Sequence, residues 1–313
     1  MVIYMNFHGY SEEKLTHFRK IQSSISNKEY AQAINYIENN EFGDPLFIMA
    51  EAQCYMKLKQ TKKAKELYNK TLVLCDEILN EKNDAFILNI KGNCNLILKK
   101  YSQSIECYNK ALLIDDKNAV AICFKSVALF RLNEIEAAYD CLSKLLEIDS
   151  ENTDINLFKA YYLNEMECYD DSLKLIENVL NTAIHPQAYL LKADALFEKG
   201  KMDEALTNIE KALKLDSNNS YSWYLKAEIE MHRLEHKKAL NDLKKAVSIN
   251  DNIDNYWFDM GSCYLNLGEY NKSYDCYKKA FNLNPHSGGV TNAEIFLEFI
   301  KNIAVIGKNL NFN

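Results

Sequence analysis

Residues that interrupt helices are scarce in this chain. Its 313 residues include three prolines and nine glycines. Proline lacks the backbone N–H that a helix interior needs, and glycine lowers helix stability by about 1 kcal/mol relative to alanine. A chain with so few of both is expected to be helical over most of its length.

Sequence patterns that carry catalysis are also missing. The chain has no glycine-rich phosphate loop, no Gly-x-Ser-x-Gly and no His-Glu-x-x-His. These patterns bind phosphate, present a nucleophilic serine or hold zinc in known enzyme classes. Charged residues are spread along the chain rather than gathered. We therefore predict a protein that is not an enzyme and that has no cofactor or bound metal.

The charge balance and the cysteines exclude further classes. The formal net charge is −7, and an acidic chain repels the phosphate backbone, so no nucleic-acid partner is expected. No segment approaches the roughly 20 apolar residues that cross a bilayer. The N-terminus lacks the basic start and apolar run of a secretory signal. Nine cysteines without a Cys-x-x-Cys pair fit a reducing compartment, so a cytoplasmic location is expected.

A pattern that returns every 34 residues is the main feature present. The repeated positions hold large aromatic residues at Tyr189, Trp223 and Trp257, and small residues at Ala193, Ala227 and Gly261. A period of this length indicates stacked supersecondary units rather than one globular core. Extended along the chain, the pattern predicts eight units that start near residues 14, 45, 85, 119, 153, 186, 220 and 254.

Each unit has the pattern of two amphipathic helices. In the last unit, Tyr256, Met260 and Tyr264 follow helical spacing, and a break follows before the second helix. The longer step between residues 45 and 85 is predicted to lengthen the second helix of that unit. A segment at 1–11 precedes the repeats at 12–287. A capping helix at 290–306 and a tail at 307–313 follow them.

These positions resemble the tetratricopeptide repeat (TPR) family. The motif residues present in the last unit are Trp257, Met260, Gly261, Tyr264, Tyr277, Ala280 and Pro285, with Ser273 in place of an alanine. The resemblance implies an all-α, right-handed superhelix whose concave wall is formed by the first helix of every unit. It also implies a protein that binds peptides or helices of other proteins and is not an enzyme.

The resemblance assigns a set of side chains to the concave groove, where they would bind a partner segment. They are Phe86, Asn89, Asn93, Phe130, Leu157, Tyr161, Leu190, Tyr221, Tyr224 and Phe258. Alternatively, some of them pack against the neighbouring first helix. Some TPR proteins bind chaperone carboxylates through a clamp of lysine, arginine and asparagine. Asn89 and Asn93 match that clamp, but its cationic residues are missing here, so this activity is not predicted.

The middle of the chain carries an excess of negative charge. Residues 119–185 hold 12 Asp or Glu and 5 Lys or Arg. One interpretation is a solvated outer face. The other is electrostatic attraction of a basic amphipathic segment towards the groove.

The final helix, AEIFLEFIKNIAVIG, is apolar around most of its circumference. Its candidate interface residues are Ile295, Phe296, Phe299, Ile300 and Ile303. A terminal helix normally shows solvent a polar face, and exposed apolar area often marks an interface. The helix therefore either caps the last unit or mediates self-association or partner docking.

Two functions remain open. The first is a scaffold or adaptor that binds a partner segment in the groove. The alternative is a regulatory or targeting subunit of an enzyme complex that docks through the final helix.

Histidines and cysteines offer weaker signals. His232 and His236 share one helical face and could bind a metal, but no third ligand is evident, so packing is expected instead. Cys54, Cys94 and Cys263 occupy one repeat position, which predicts burial as small apolar side chains.

Overall fold

The computed structural model describes residues 11–40, 42–148, 151–290 and 292–310; for residue 148 and residues 303–310 it describes the backbone alone. Every regular element within these ranges is helical, which confirms the predicted all-α repeat fold. None of the helices in these ranges is long and apolar enough to span a bilayer. The predicted N-terminal segment lies, up to residue 10, outside the described residues.

Sixteen of the helices follow one another as eight pairs. They are α1 (Glu12–Ser26) and α2 (Tyr30–Asn39), α3 (Pro45–Lys57) and α4 (Thr61–Glu81), α5 (Ala85–Ile97) and α6 (Tyr101–Ile114), α7 (Ala119–Arg131) and α8 (Ile135–Ile148), α9 (Thr153–Glu165) and α10 (Tyr169–Thr182), α11 (Pro186–Glu198) and α12 (Met202–Leu215), α13 (Ser220–His232) and α14 (His236–Ile249), and α15 (Asp254–Asn266) and α16 (Tyr270–Leu283). A 3-10 turn (Ser287–Gly289) and α17 (Ala293–Leu310) follow.

Local sequence accounts for where these helices begin and turn. The side chain of Asp84 accepts hydrogen bonds from the N–H groups of Phe86 and Ile87, which caps α5. Helix α4 has 21 residues, whereas α6 has 14, so the extra residues of that repeat lengthen its second helix. Gly200 and Gly268 take positive φ angles of 73° and 76° in the turns between paired helices, where glycine is least strained.

Close approach of the two helices in a pair depends on a small residue that faces a large one. A Cβ atom on Gly92 would lie 2.5 Å from the ring of Tyr108, and one on Gly261 would lie 3.0 Å from Tyr277. Other pairs use an alanine at the same repeat position, such as Ala227. The small residues of the 34-residue pattern therefore set the spacing between the helices of a pair.

The chain divides into two compact units, Met1–Tyr162 and Leu163–Asn313. The largest fully buried side chains of the N-terminal unit are aromatic or branched, and include Phe47, Tyr68, Ile90 and Tyr108. Those of the C-terminal unit are Ile176, Ile209, Leu225 and Ile229. Each of these two compact units buries a series of hydrophobic clusters along its helix pairs, as expected for a repeat protein.

Cysteines and histidines serve mainly in packing. Seven of the nine cysteines are buried, including Cys54, Cys94 and Cys263, which confirms their predicted burial. Burial raises the pKa of Cys54 to about 11, so its thiol is not a ready nucleophile. The ring of His232 lies against Phe197, with 5.1 Å between centroids. No group of three or more His, Cys, Asp or Glu that could hold a metal occurs in the described residues.

Candidate functional site

The first helices of the C-terminal unit share a surface that hydrogen bonds tie together. The Tyr221 hydroxyl donates to Asp194 Oδ1 at 3.2 Å, which joins α13 to α11. The Tyr224 hydroxyl donates to Asp259 Oδ2 at 2.9 Å, which joins α13 to α15. Asn164 Nδ2 donates to Asp194 Oδ2 at 3.1 Å, which joins the end of α9 to α11. These side chains therefore belong to one continuous surface.

Carboxylates dominate this surface. They are Glu165, Asp194, Glu198, Glu228 and Asp259. Together with Tyr221 and Tyr224, these five carboxylates form what we call the acidic face. Asp194 and Glu228 are 34 residues apart and occupy the same repeat position, and Asp194 and Glu198 share one helical face because they are four residues apart. None of the five forms a salt bridge with any residue that the structure describes.

Burial and mutual repulsion make the negative charge on this face costly. Burial, together with the charges of Asp259, Glu198 and Asp194, raises the pKa of Glu228 to about 7. Burial also raises the pKa of Asp194, although hydrogen bonds from Asn164 and Tyr221 oppose the shift. Three of the five carboxylates, Asp194, Glu228 and Asp259, are half-buried, and Glu165 and Glu198 are exposed. Such a group of carboxylates attracts an incoming cation, because the cation's charge relieves the repulsion among them.

Aromatic rings line the same face. The rings of Tyr221 and Tyr224 lie 6.1 Å apart, and the ring of Tyr224 stacks on Tyr256 at 4.8 Å. Tyr221 is 43% exposed, so a ligand can reach its ring. Aromatic rings provide apolar contact at little entropic cost and attract cations over their faces.

The groove residues predicted in the N-terminal unit are mostly internal. Phe86, Asn89 and Asn93 are all buried. Asn93 accepts a hydrogen bond from the Tyr108 hydroxyl at 2.7 Å, and Asn89 Nδ2 donates to Asn118 Oδ1 at 3.1 Å. The two asparagines that match the carboxylate clamp therefore bind other parts of the chain.

Two leucines predicted to line the groove are instead core residues. Leu157 is 4% exposed and Leu190 is 3% exposed. Leu190 packs in a cluster with Leu225 of the next first helix, so the neighbouring repeat covers this position. Phe130 and Tyr161 are half-buried and pack together with 5.3 Å between their rings.

Phe258 lies beneath the segment that precedes the final helix. A Cβ atom on Gly288 would lie 2.2 Å from the ring of Phe258, so the turn crosses closely over that ring. Phe296 of α17 also packs against it. Of the ten predicted groove residues, Tyr221 and Tyr224 are those that belong to the acidic face.

Sequence reasoning missed most of the acidic face. The charge count drew attention to residues 119–185, whereas four of the five carboxylates lie between residues 194 and 259. The useful signal was the recurrence of an acidic residue at one repeat position, in Asp194 and Glu228. A count of charged residues along the chain does not show this recurrence, because it adds the acidic residues of the first helices to the solvated charges of the second helices.

The final helix uses its apolar residues in two ways. It begins at Ala293 rather than residue 290 and continues to Leu310 rather than residue 306. Phe296 packs against three aromatic rings of the last repeat, and Ile300 is 1% exposed. Ile295 and Phe299 are 66% and 59% exposed. Ile303 lies outside the residues whose side chains are described.

The fold and this surface define an α-helical repeat protein of the solenoid class. Models of the tetratricopeptide repeat match residues 87–118, 186–219 and 255–287. The chain therefore contains tetratricopeptide repeats. No curated protein matches its sequence.

Solved structures of other repeat proteins share the fold. The human IFIT1 dimer with PPP-AAAA is 17% identical with a TM-score of 0.60, over 93% of this chain and 75% of that one. A tetratricopeptide repeat protein from Parabacteroides merdae is 15% identical with a TM-score of 0.60, over 83% and 97%. The APC/C hetero-tetramer Cut9–Hcn1 is 12% identical with a TM-score of 0.64, over 93% of this chain and 55% of that one. At these identities, the likeness concerns the fold alone.

Proposed function

We propose that the protein is a non-catalytic scaffold or adaptor that binds a segment of a partner protein on the acidic face. The observation that carries this proposal is the set of five carboxylates that form no salt bridge with any described residue, beside the exposed Tyr221 and the half-buried Tyr224. The fold supports a protein-interaction scaffold in general. The free cysteines agree with action in a reducing compartment such as the cytoplasm.

The chemistry of the face favours a basic amphipathic segment. Lysine or arginine side chains would neutralise the carboxylates, and apolar side chains would pack against the tyrosine rings. The same carboxylates repel nucleic-acid phosphates, so an RNA or DNA ligand does not fit this surface.

Replacing Tyr221 and Tyr224 together by alanine is expected to weaken partner binding at least tenfold. Aromatic anchors at the centre of an interface commonly contribute 2 kcal/mol or more, which corresponds to about thirtyfold in affinity. Peptides selected from a random 16-residue library on the wild-type chain would serve as probes, with fluorescence anisotropy as the measurement. We expect the selected peptides to combine arginine or lysine with apolar residues.

A matched control separates binding from folding. Tyr270 begins the second helix of the last pair, whereas the acidic face is formed by first helices, so Tyr270→Ala should leave peptide affinity unchanged. Circular dichroism should report the wild-type helix content for both variants. Selected peptides that bind the Tyr221/Tyr224 double variant as tightly as wild type would show that the site lies elsewhere.

The alternative function rests on the exposed side of α17. Ile295 and Phe299 lie one turn apart and are both largely exposed, as expected of a helix that docks a regulatory or targeting subunit onto an enzyme or mediates self-association. Replacing both by glutamate should abolish such an assembly without unfolding the chain, because Phe296 and Ile300 still cap the last repeat. Light scattering and co-purification measure this outcome. An unchanged assembly with a stable double variant would exclude the alternative.

A further inference from the structure

Glu228 differs from the other half-buried carboxylates of the acidic face. Asp194 accepts hydrogen bonds from Asn164 and Tyr221, and Asp259 accepts one from Tyr224. Glu228 accepts no hydrogen bond and forms no ion pair with any residue that the structure describes. A carboxylate removed from water without a partner is costly in its ionised form.

The groups around Glu228 supply no compensating cation. Asp194 and Glu198 on α11 and Asp259 on α15 all raise its pKa, in addition to burial. On its own helix, Tyr224 lies one turn earlier. His232 lies one turn later, where its ring contacts Phe197.

The nearby lysine on α13 serves a different contact. Lys226 reaches α14, where its Nζ lies 2.7 Å from Asp242 Oδ2, and it also pairs with Glu230 on its own helix. It is therefore engaged away from the acidic face. Among the described residues, the charges that shift the pKa of Glu228 are those of three carboxylates.

A buried amide at the edge of the face has an unsatisfied acceptor. Asn164 is 5% exposed, and its Nδ2 donates to Asp194 Oδ2 and to the Leu191 carbonyl oxygen, both at 3.1 Å. Its Oδ1 is buried and has no hydrogen-bond partner. Because the Nδ2 of the same amide contacts Asp194, this orphaned acceptor lies beside a carboxylate of the acidic face. An unsatisfied acceptor next to a carboxylate points to a ligand rich in N–H donors, such as a guanidinium group with its five N–H donors.

We propose that Glu228 is the anchor for one arginine side chain of the partner segment, and that binding removes a proton from Glu228, so that mild acidification releases the partner. This inference rests on the proposed function. When the arginine arrives, the carboxyl group of Glu228 gives its proton to solvent and an ion pair replaces the O–H bond. The Tyr221 and Tyr224 rings would pack against the apolar stem of the arginine.

The sign of the effect follows from the state of Glu228 before binding. Its pKa of about 7 means that the free protein is mostly protonated there at pH 6 and mostly ionised at pH 8. The bound arginine lowers this pKa, so binding is stronger at the higher pH. Between pH 8 and pH 6 the affinity should fall about tenfold, because the affinity loses up to a factor of ten for each pH unit below a pKa of about 7.

The test uses a 15-residue amphipathic peptide of leucine and arginine, with a leucine–glutamate peptide of the same pattern as a negative control. Affinities at pH 6, 7 and 8 and at fixed salt would be measured by fluorescence anisotropy on the full chain. Calorimetry in two buffers of different ionisation enthalpy would count the protons released. For the wild-type chain we expect the tenfold loss, with about half a proton released at pH 7.

Glu228→Gln is the decisive variant, and Glu210→Gln on α12 is its control with the same charge change on an exposed residue. Glu228→Gln should reduce the pH dependence to less than threefold and abolish the proton release, whereas Glu210→Gln should retain both. His232→Gln separates any contribution of that imidazole to the pH dependence of binding.

The Glu228→Gln chain should melt at or above the wild-type temperature at pH 8. The reason is that the raised pKa stabilises the folded wild type below about pH 4.5, and this stabilisation is lost as the pH rises through 7.

Each outcome decides the proposal. Binding that is independent of pH, or equally dependent in Glu228→Gln, overturns the proton-linked anchor while the proposed function stands. If library-selected peptides bind the acidic face but the arginine peptide does not bind at any pH, the cationic anchor is wrong. If neither binds, the proposed function fails and the inference fails with it.

Discussion

Replacing Lys226 by methionine is expected to destabilise the folded chain by about 3 kcal/mol at pH 8, the cost of removing one partner from a buried ion-pair network. Lys226 Nζ lies 2.7 Å from Asp242 Oδ2 and 3.6 Å from Glu230 Oε1. The side chains of Asp242 and Glu230 are each 6% exposed. Methionine retains the length of the stem, so the change removes the charge and little else.

The loss of stability caused by Lys226→Met should become smaller as the pH falls. Burial raises the pKa of Glu230, Asp242 raises it further, and Lys226 opposes the shift. Without Lys226 the raised pKa of Glu230 has no opposing cation. A folded-state pKa above the unfolded value contributes stability below about pH 4.5 that disappears as the pH rises. Urea unfolding at pH 5 and pH 8 measures the difference.

The control for this prediction is an exposed ion pair on the next helix. Lys238 lies 2.6 Å from Glu235, and its side chain is 68% exposed. Lys238→Met should cost much less than Lys226→Met, because solvent screens such pairs. Lys245 remains 3.2 Å from Asp242 Oδ1, which limits the damage at that carboxylate in the Lys226 variant. If Lys226→Met costs no more than Lys238→Met, the network does not stabilise the fold.

Gly92→Ala is expected to destabilise the chain by about 2 kcal/mol, although glycine to alanine inside a helix usually stabilises by about 1 kcal/mol. The added Cβ would lie 2.5 Å from the ring of Tyr108. Tyr108 is fully buried, so its ring cannot move aside without disturbing its neighbours. The midpoint of urea or thermal unfolding measures the effect.

Two further variants test the steric origin of this loss. Gly261→Ala should cost less, because the contact with Tyr277 would be 3.0 Å. Adding Tyr108→Leu to Gly92→Ala should recover part of the stability, because other repeats combine alanine with a branched side chain, as in the cluster of Ala227 and Leu243. Recovery would be partial because the hydrogen bond from Tyr108 to Asn93 is lost. A Gly92→Ala chain that is more stable than wild type would contradict the packing argument.

The helices could be predicted because their signals are local. Small residues such as Gly261 recur at fixed spacing, capping residues such as Asp84 mark helix starts, and the extra residues before Ala85 extend α4. Each of these depends on residues within one turn or one helix pair. The family resemblance rests on the same positions.

The candidate site depended on contacts between repeats. Leu190 and Tyr224 occupy the same repeat position, yet the next first helix covers Leu190 while Tyr224 reaches Asp259. Phe258 occupies that position too, but the turn at Gly288 crosses it. A periodic pattern gives these three side chains the same interpretation, because it contains no information about what packs on each one.

The sequence by itself determined that this chain is a series of paired helices, because helix formation and pair packing are set by neighbours in the chain. The tertiary structure alone decided which carboxylates come together. Glu165 and Asp259 are far apart in sequence but share one surface with Glu228, and the carboxylates that raise the pKa of Glu228 in addition to burial belong to the repeats on either side of it. Electrostatic energy depends on distance and dielectric environment in space, and neither can be read from position along the chain.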